Sequence, residues 1–380
     1  MSVPFASAQF ASAHASGTHW ADITRACLAQ LGPLPRANRL GFVYATDHLA
    51  GDLDAIVDQL RLGTGIEHWI GTVGIAIAGQ TATAPAEEYI DEPAISLMVG
   101  EFPSDSFRLL EPDGGASRLR ALQAWRQAHH PSIALVHADP RNPQLPQLMQ
   151  QLSEEAGLYL IGGLSSSRGP LPQVAGRVGE SGISGALLAG EIPVVTAHSQ
   201  GCSPIGPVHT ITRAEENIIM EIDGRPALDV FRDEIGEVLA RDMRKVAGFI
   251  FAALPVAGSD TGDYLVRNLT GIDSNKGWIA IAAEIAAGHS ILFTRRDRNT
   301  ALADLERMLE RLKQRVDRPI RGGLYVSCIA RGPNLFGFDS TETRLIAKHL
   351  GSFPLTGFFA NGEISHDRIY AYTGVLTLFL

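Results

Sequence analysis

Two short segments near the end of the chain combine residue types that hold small charged ligands. Cys328-Ile-Ala-Arg331-Gly332 closes one apolar run, and Asn361-Gly362-Glu363 closes another. An arginine fork can grip a carboxylate bidentately, and a glycine beside Glu363 permits close backbone approach or a positive φ. Polar groups at strand ends commonly surround a ligand in α/β proteins. Arg331, Asn361 and Glu363 would therefore orient a small polar or amino-acid-like ligand, with Gly332 and Gly362 giving it backbone access. Gly162-Gly163-Leu164-Ser165 follows a third apolar run. Its Ser165 hydroxyl and backbone N–H groups suit an anion, or the segment is a plain turn. Arg267 ends a further strand and adds a cation to the pocket or to the surface. Cys328 lies two residues beyond Val326 on one strand face and reads first as a small core residue.

Other chemistries lack their residues. There is no GxSxG elbow, no kinase set, no GxGxxG fingerprint and no P-loop lysine. No enzyme class is assigned, and catalysis is not expected. The paired acids Glu87-Glu88, Glu154-Glu155 and Glu215-Glu216 read as exposed helix or turn residues. Twelve histidines include no HExxH spacing, so no metal site is assigned. Haem needs only an axial ligand in an apolar cavity, which leaves haem open as a cofactor without an assigned histidine. Cys27, Cys202 and Cys328 are far apart, form no CxxC pair and support no disulfide framework.

A net charge of -9 without a Lys/Arg cluster argues against a nucleic-acid partner. The densest basic stretch, 307–321, is interspersed with Glu310 and Asp317 and reads as a solvated helix face. Residues 1–17 lack a basic n-region and a continuous apolar core, so a signal peptide is not expected. The apolar runs 246–258 and 278–287 are too short or broken to span a membrane. The expected compartment is the cytoplasm.

The elements that must position these groups recur. A strand over 39–45, a helix over 53–62 and a strand over 67–77 form one unit. The same order returns as 132–137, 144–156 and 158–165, then as 323–329, 340–350 and 354–360. The helices carry the i, i+3, i+4 apolar spacing of a one-sided face, and the second strand of each unit contains glycine. Further helices are expected over 20–31, 117–127, 226–239 and 300–316, and further strands over 93–101, 182–188, 194–198, 248–254 and 370–380. The pattern predicts an α/β (α+β) protein of two related halves, with stacked mixed sheets covered by outer helices. With 45% hydrophobic residues in a chain of 380, a large core is available. The boundary is placed near residue 195, giving domains 1–195 and 196–380.

Residues 201–231 (GCSPIGPVHTITRAEENIIMEIDGRPALDVF) resemble the opening of a FIST C-terminal domain, with its G-x-x-P-x-G-P turn and a D-G-x-P-A-L lead into a helix. The resemblance continues through 264–268 and 288–293 to Cys328-x-x-Arg331-Gly332 and Gly357-Phe-Phe-x-Asn361-Gly362-Glu363-Ile364. The stretch before 195 is similar to a FIST N-terminal domain, on strand–helix order and on Gly162-Gly163-x-Ser165. One departure stands out. Where the family often has a G-C-S/T-x-x-G-E-like turn, this chain has Gly71-Thr72-Val73-Gly74, so no ligand contact through that Cys or Glu carries over. The resemblance implies a sensory module for a small ligand. Its output would pass through a separate partner, such as a histidine kinase or a cyclic-nucleotide enzyme. The alternative that the resemblance implies is a haem-binding nitric-oxide sensor regulating a histidine kinase.

Overall fold

The computed structural model describes residues 9–34, 39–112, 121–180, 182–240, 246, 248–256 and 263–380. Residues 1–8 of the Ala/Ser-rich N-terminal stretch, 117–120 of the helix expected over 117–127, and part of the apolar run 246–258 lie outside them.

Each recurring unit is a pair of parallel strands joined by a helix. Arg39–Thr46 pairs with His68–Gly74, Ile133–Ala138 with Tyr159–Leu164, and Gly322–Cys328 with Leu355–Ala360. The glycine in each second strand has a steric cause. Gly71 lies opposite Val43, Gly162 opposite Val136 and Gly357 opposite Tyr325. A Cβ at these positions would lie 1.7, 1.8 and 1.8 Å from the facing carbonyl oxygen, so no side chain fits.

Each unit forms the middle of its own mixed sheet. The first sheet runs Phe10–Ser16, Ala94–Glu101, Arg39–Thr46, His68–Gly74, Gln173–Ala175, Arg177–Gly179. The second contains, in order, Glu363–His366, Tyr159–Leu164, Ile133–Ala138, Ile183–Leu188 and Phe107–Leu110. The third runs Val194–Gln200, Thr373–Phe379, Gly322–Cys328, Leu355–Ala360, Ala76–Gln80, Glu87–Ile90.

Strand alternation divides these sheets between inner and outer cores. Leu40, Phe42 and Tyr44 join Leu135, Leu160, Val326 and Phe358 in one core shared by the three inner faces. Val43 and Ala45 turn outward against the helices Trp20–Leu31 and Leu53–Thr64, whose Ile23, Cys27, Ile56 and Leu60 cover them. Tyr325, Leu355 and Leu376 are covered on the other side by Leu305, Leu309 and Leu312 of Arg298–Arg315 and by Ile346 of Thr341–Leu350. Stacked mixed sheets with outer helices are thus the architecture.

Ser166 ties the three units together. Its hydroxyl accepts from the Ile75 N–H at 2.9 Å and donates to the Phe359 carbonyl, and its N–H donates to Val73 O at 3.3 Å. This explains a departure from the strand expected over 67–77. The chain leaves the first sheet after Gly74 and enters the third at Ala76, so two strands replace one, with Ile75 held at the bend. Likewise the strand expected over 370–380 begins only at Thr373, because Tyr372 adopts φ 63°.

By contact density the chain divides into two compact units. The larger comprises Met1–Ser199, Leu305–Ile369 and Thr373–Leu380, and the smaller Gln200–Asp304 and Tyr370–Tyr372. The smaller contains a nine-stranded sheet and the helix Ala227–Ala240, which breaks at Gly236, φ 77°. Its core includes Ile211, Phe231 and Phe293, the two phenylalanine rings meeting edge-on at 4.8 Å.

Candidate functional site

The strand Gly322–Cys328 sends Tyr325 and Ser327 to its outer face, where the first turn of Thr341–Leu350 places Glu342 against them. Glu342 accepts from Tyr325 Oη at 2.6 Å, from Ser327 Oγ at 3.0 Å, from Arg331 Nε at 2.8 Å and from the Gly332 N–H at 3.1 Å. Arg331 and Glu342 are both fully buried. Arg331 also donates to the Ser199 carbonyl at 3.3 Å and lies 5.3 Å from the centre of the Phe336 ring. Glu363 is fully buried as well and accepts from the Thr373 N–H at 3.1 Å and its hydroxyl at 2.6 Å. Burial pushes the Glu363 carboxyl up to about 8, against the pull of Thr373 and the charge of Arg331.

A second cluster lies where two edge strands meet, Phe10–Ser16 of the first sheet and Glu87–Ile90 of the third. A cleft of about 570 Å³ there is lined by residues that include Phe10, His14, Gln30, Thr81, Glu87 and Tyr89. His14 Nδ1 lies 2.7 Å from Tyr89 Oη, which donates to Glu87 Oε2 at 2.7 Å. Burial holds the His14 imidazole below its ordinary range, against the opposing charge of Glu87. The side chain of Gln30 grips the exposed edge of the strand at His14, accepting from its N–H at 3.2 Å and donating to its carbonyl at 2.9 Å. Gly79 makes room for the ring, since a Cβ there would lie 2.7 Å from His14 Cβ and Cγ.

The strand Glu87–Ile90 joins the two clusters. Alternation turns Glu87 and Tyr89 toward His14 and turns Glu88 to the opposite face. There Glu88 Oε1 accepts from Thr343 N–H at 3.0 Å and from its hydroxyl at 3.2 Å, while Ser340 Oγ accepts the Glu88 N–H at 3.0 Å. Burial first, and then the charge of Glu342, push the Glu88 carboxyl up to about 7. The expectation that Glu87-Glu88 is a plain exposed pair is corrected for Glu88, whose Oε2 is shut off from solvent.

Of the residues singled out from sequence, Cys328, Arg331, Gly332 and Glu363 come together in the buried network. Gly332, at φ 48°, is held against Phe359, and Cys328 is buried next to the Glu363 carboxyl. Gly362, φ 130°, packs on Leu164, while Asn361 is exposed and donates its N–H to Leu164 O at 3.0 Å. Ser165 is buried elsewhere, its hydroxyl 2.6 Å from that of Thr72. Arg267 belongs to the smaller unit, where burial lowers its affinity for a proton. His137 is fully enclosed, bonded through Nε2 to Tyr44 Oη at 3.0 Å, and burial pushes it down to about 3.

Sequence reasoning passed over His14, Tyr89, Gln30 and Glu342, and read Glu88 only as an exposed residue. The signal for His14 was the alternation of Phe10, Ser12, His14 and Ser16 with alanines at 11, 13 and 15, a strand pattern inside an Ala/Ser-rich stretch. Nothing local marks Glu342, because its partners are a strand away.

Among the described residues no helix is long and apolar enough to cross a membrane, and no three His, Cys, Asp or Glu residues cluster as metal ligands. A FIST N domain model matches residues 39–225 and a FIST C domain model matches 227–366. An uncharacterised protein of Mycobacterium tuberculosis is 30% identical over 377 residues, covering 91% of this chain and 96% of the relative. Another uncharacterised relative, from Mycobacterium bovis, is 30% identical over 324 residues, 80% of this chain and 82% of its own length. With two adjacent domain models matched in order along it, the chain belongs to the FIST family, whose domains are sensory modules of signal transduction.

Proposed function

We propose that this protein senses a small polar ligand and passes its state to a separate signalling partner, such as a histidine kinase or a cyclic-nucleotide enzyme. The observation that carries the reading is the two-faced strand Glu87–Ile90. One face lines the cleft through Glu87 and Tyr89, and the other meets the start of helix Thr341–Leu350 through Glu88. A ligand in the cleft acts on the equilibrium only through different affinity for two states. Moving this strand changes the Glu88–Thr343 contact, and with it the environment of the Arg331–Glu342 pair. In this reading Arg331 and Glu363 belong to the responding network, and the protein turns nothing over.

The test couples ligand binding to hydrogen exchange. A ligand found by thermal shift, which reports binding to the native state, should change amide protection over 341–350. Glu88→Gln should bind that ligand but lose the change. A wild-type protein whose 341–350 protection ignores every bound ligand would sink the reading.

A second reading, a haem-based nitric-oxide sensor, is favoured by one observation. His14 lines the cleft as a neutral imidazole, the form that ligates iron. A stoichiometric Soret band that shifts with nitric oxide and disappears in His14→Ala would establish it. Weak haemin uptake without saturation would leave the first reading standing.

A further inference from the structure

We infer that the cleft between Phe10–Ser16 and Glu87–Ile90 takes a small organic cation, a protonated amine on an apolar body, and rejects carboxylates. The inference rests on the sensory reading of the same cleft and names its ligand class.

The hydrogen-bond directions fix the tautomer of His14. An ionised carboxylate only accepts, so the Tyr89 proton points to Glu87 Oε2. Burial and the Glu87 hydrogen bond both keep that proton on Tyr89. The Tyr89 oxygen must then accept from His14 Nδ1–H across their 2.7 Å contact. The neutral ring is left with its lone pair on Nε2, which finds no protein donor among the described residues and is covered in this structure, so a donor reaches it only when the cleft wall shifts. His14 is only 7% exposed, and Gln30 and Gly79 hold it in place. The relay thus prepares an acceptor, as partners of metal-binding histidines do.

Charge selects the ligand. Among the described residues Glu87 is the one charged residue lining the cleft, since that lining contains no Lys, Arg or Asp and burial disfavours the protonated form of His14. Tyr89 occupies one of the several lone-pair positions of the Glu87 carboxylate, which leaves capacity for further donors. An ammonium offers several N–H donors, one to this half-exposed carboxylate and, once the ring is uncovered, another to the imidazole acceptor, whereas a ligand carboxylate meets like charge. Phe10, Ala82, Ala84, Pro85 and Pro354 supply an apolar wall for the body of the amine. A metal ion is the poorer fit, because no third His, Cys, Asp or Glu joins His14 and Glu87 among the described residues.

The experiment is calorimetric titration of the full chain with butylammonium, butyrate and norvaline, on wild type, Glu87→Gln and Tyr89→Phe. Butylammonium should bind saturably, butyrate and norvaline should not, and Glu87→Gln should weaken butylammonium about 10- to 100-fold, as expected for losing a charge-assisted contact. The Glu87 side chain is 45% exposed, so that variant retains the fold. Absence of saturable butylammonium binding overturns the inference, and so does an affinity unchanged in Glu87→Gln. Butyrate or norvaline binding at least as tightly overturns the cation class and leaves the cleft a ligand site. The sensory reading fails separately, by the exchange measurement over 341–350.

Discussion

Glu87 and Glu88 are adjacent on one edge strand, yet their carboxylates serve opposite faces. Glu87 Oε2 accepts a hydrogen bond from the Tyr89 hydroxyl beside His14, and Glu88 Oε1 accepts from the N–H and hydroxyl of Thr343 at the start of a helix. A single residue of register separates the cleft from the ion-pair network, so slippage or twist of this strand alters both at once.

The Arg331–Glu342 pair should be expensive to break. Removing one partner of a fully buried pair leaves an uncompensated charge, so Arg331→Met should lower stability by about 3–5 kcal/mol. Arg331→Met with Glu342→Gln should recover part of the loss, since the glutamine is neutral and still accepts from Tyr325. Urea midpoints at constant m-value check both. A single variant as stable as wild type would show that the pair is solvated in solution.

Stability should depend on pH through Glu363 and Glu88. Both carboxyls have folded values raised above an ordinary 4.5, to about 8 and about 7. Their contribution is therefore fully present below pH 4.5 and is lost as pH rises through 7 to 8. The slope is on the order of 1.4 kcal/mol per pH unit for each group while it titrates. His137, pushed down to about 3, acts oppositely and costs stability as pH falls below 6.5. Glu363→Gln should flatten the decline between pH 5 and 8. Parallel pH profiles for wild type and variant would contradict the burial assigned to Glu363.

The three units of the larger compact body were legible because period and glycine spacing are local signals. The helix Trp20–Leu31 was expected over the same residues, and all three parallel strand pairs lie where the apolar runs fall. The bend at Ile75 was not legible, because what holds it is Ser166, far along the chain. The site was legible in part. Cys328, Arg331, Gly332 and Glu363 converge, but the arginine holds the carboxylate of Glu342 rather than one from solution. A sequence shows that a cation is present and does not show that its counter-ion is already in the chain.

The glycines opposite Val43, Val136 and Tyr325 should tolerate no side chain. Gly71→Ala, Gly162→Ala and Gly357→Ala each force a Cβ within 1.8 Å of a carbonyl oxygen. Losses above about 4 kcal/mol or failure to fold are expected. Gly51→Ala is the control, with nothing within 4 Å of the added carbon. Thermal midpoints of the four variants decide it.

The tautomer of His14 is open to direct observation. Two-bond nitrogen–proton correlations should show the proton on Nδ1 in wild type, and Tyr89→Phe should release that preference. The ring should also give up its proton more readily than an unperturbed histidine and be neutral at pH 7. A protonated His14 at that pH would remove the acceptor on which cation binding depends.

The pairing of Ala76–Gln80 with Leu355–Ala360 has a consequence for synthesis on the ribosome. The hairpin Ala76–Ile90 emerges long before its neighbour in the sheet, Leu355–Ala360, is made. Until then Ile77 and Ala78 lie on an open strand edge, a surface that invites pairing with another chain. The nascent chain must therefore hold an unfinished sheet until that strand is made. Expression of residues 1–225 alone should give an aggregating product, and co-expression of the remainder should restore solubility.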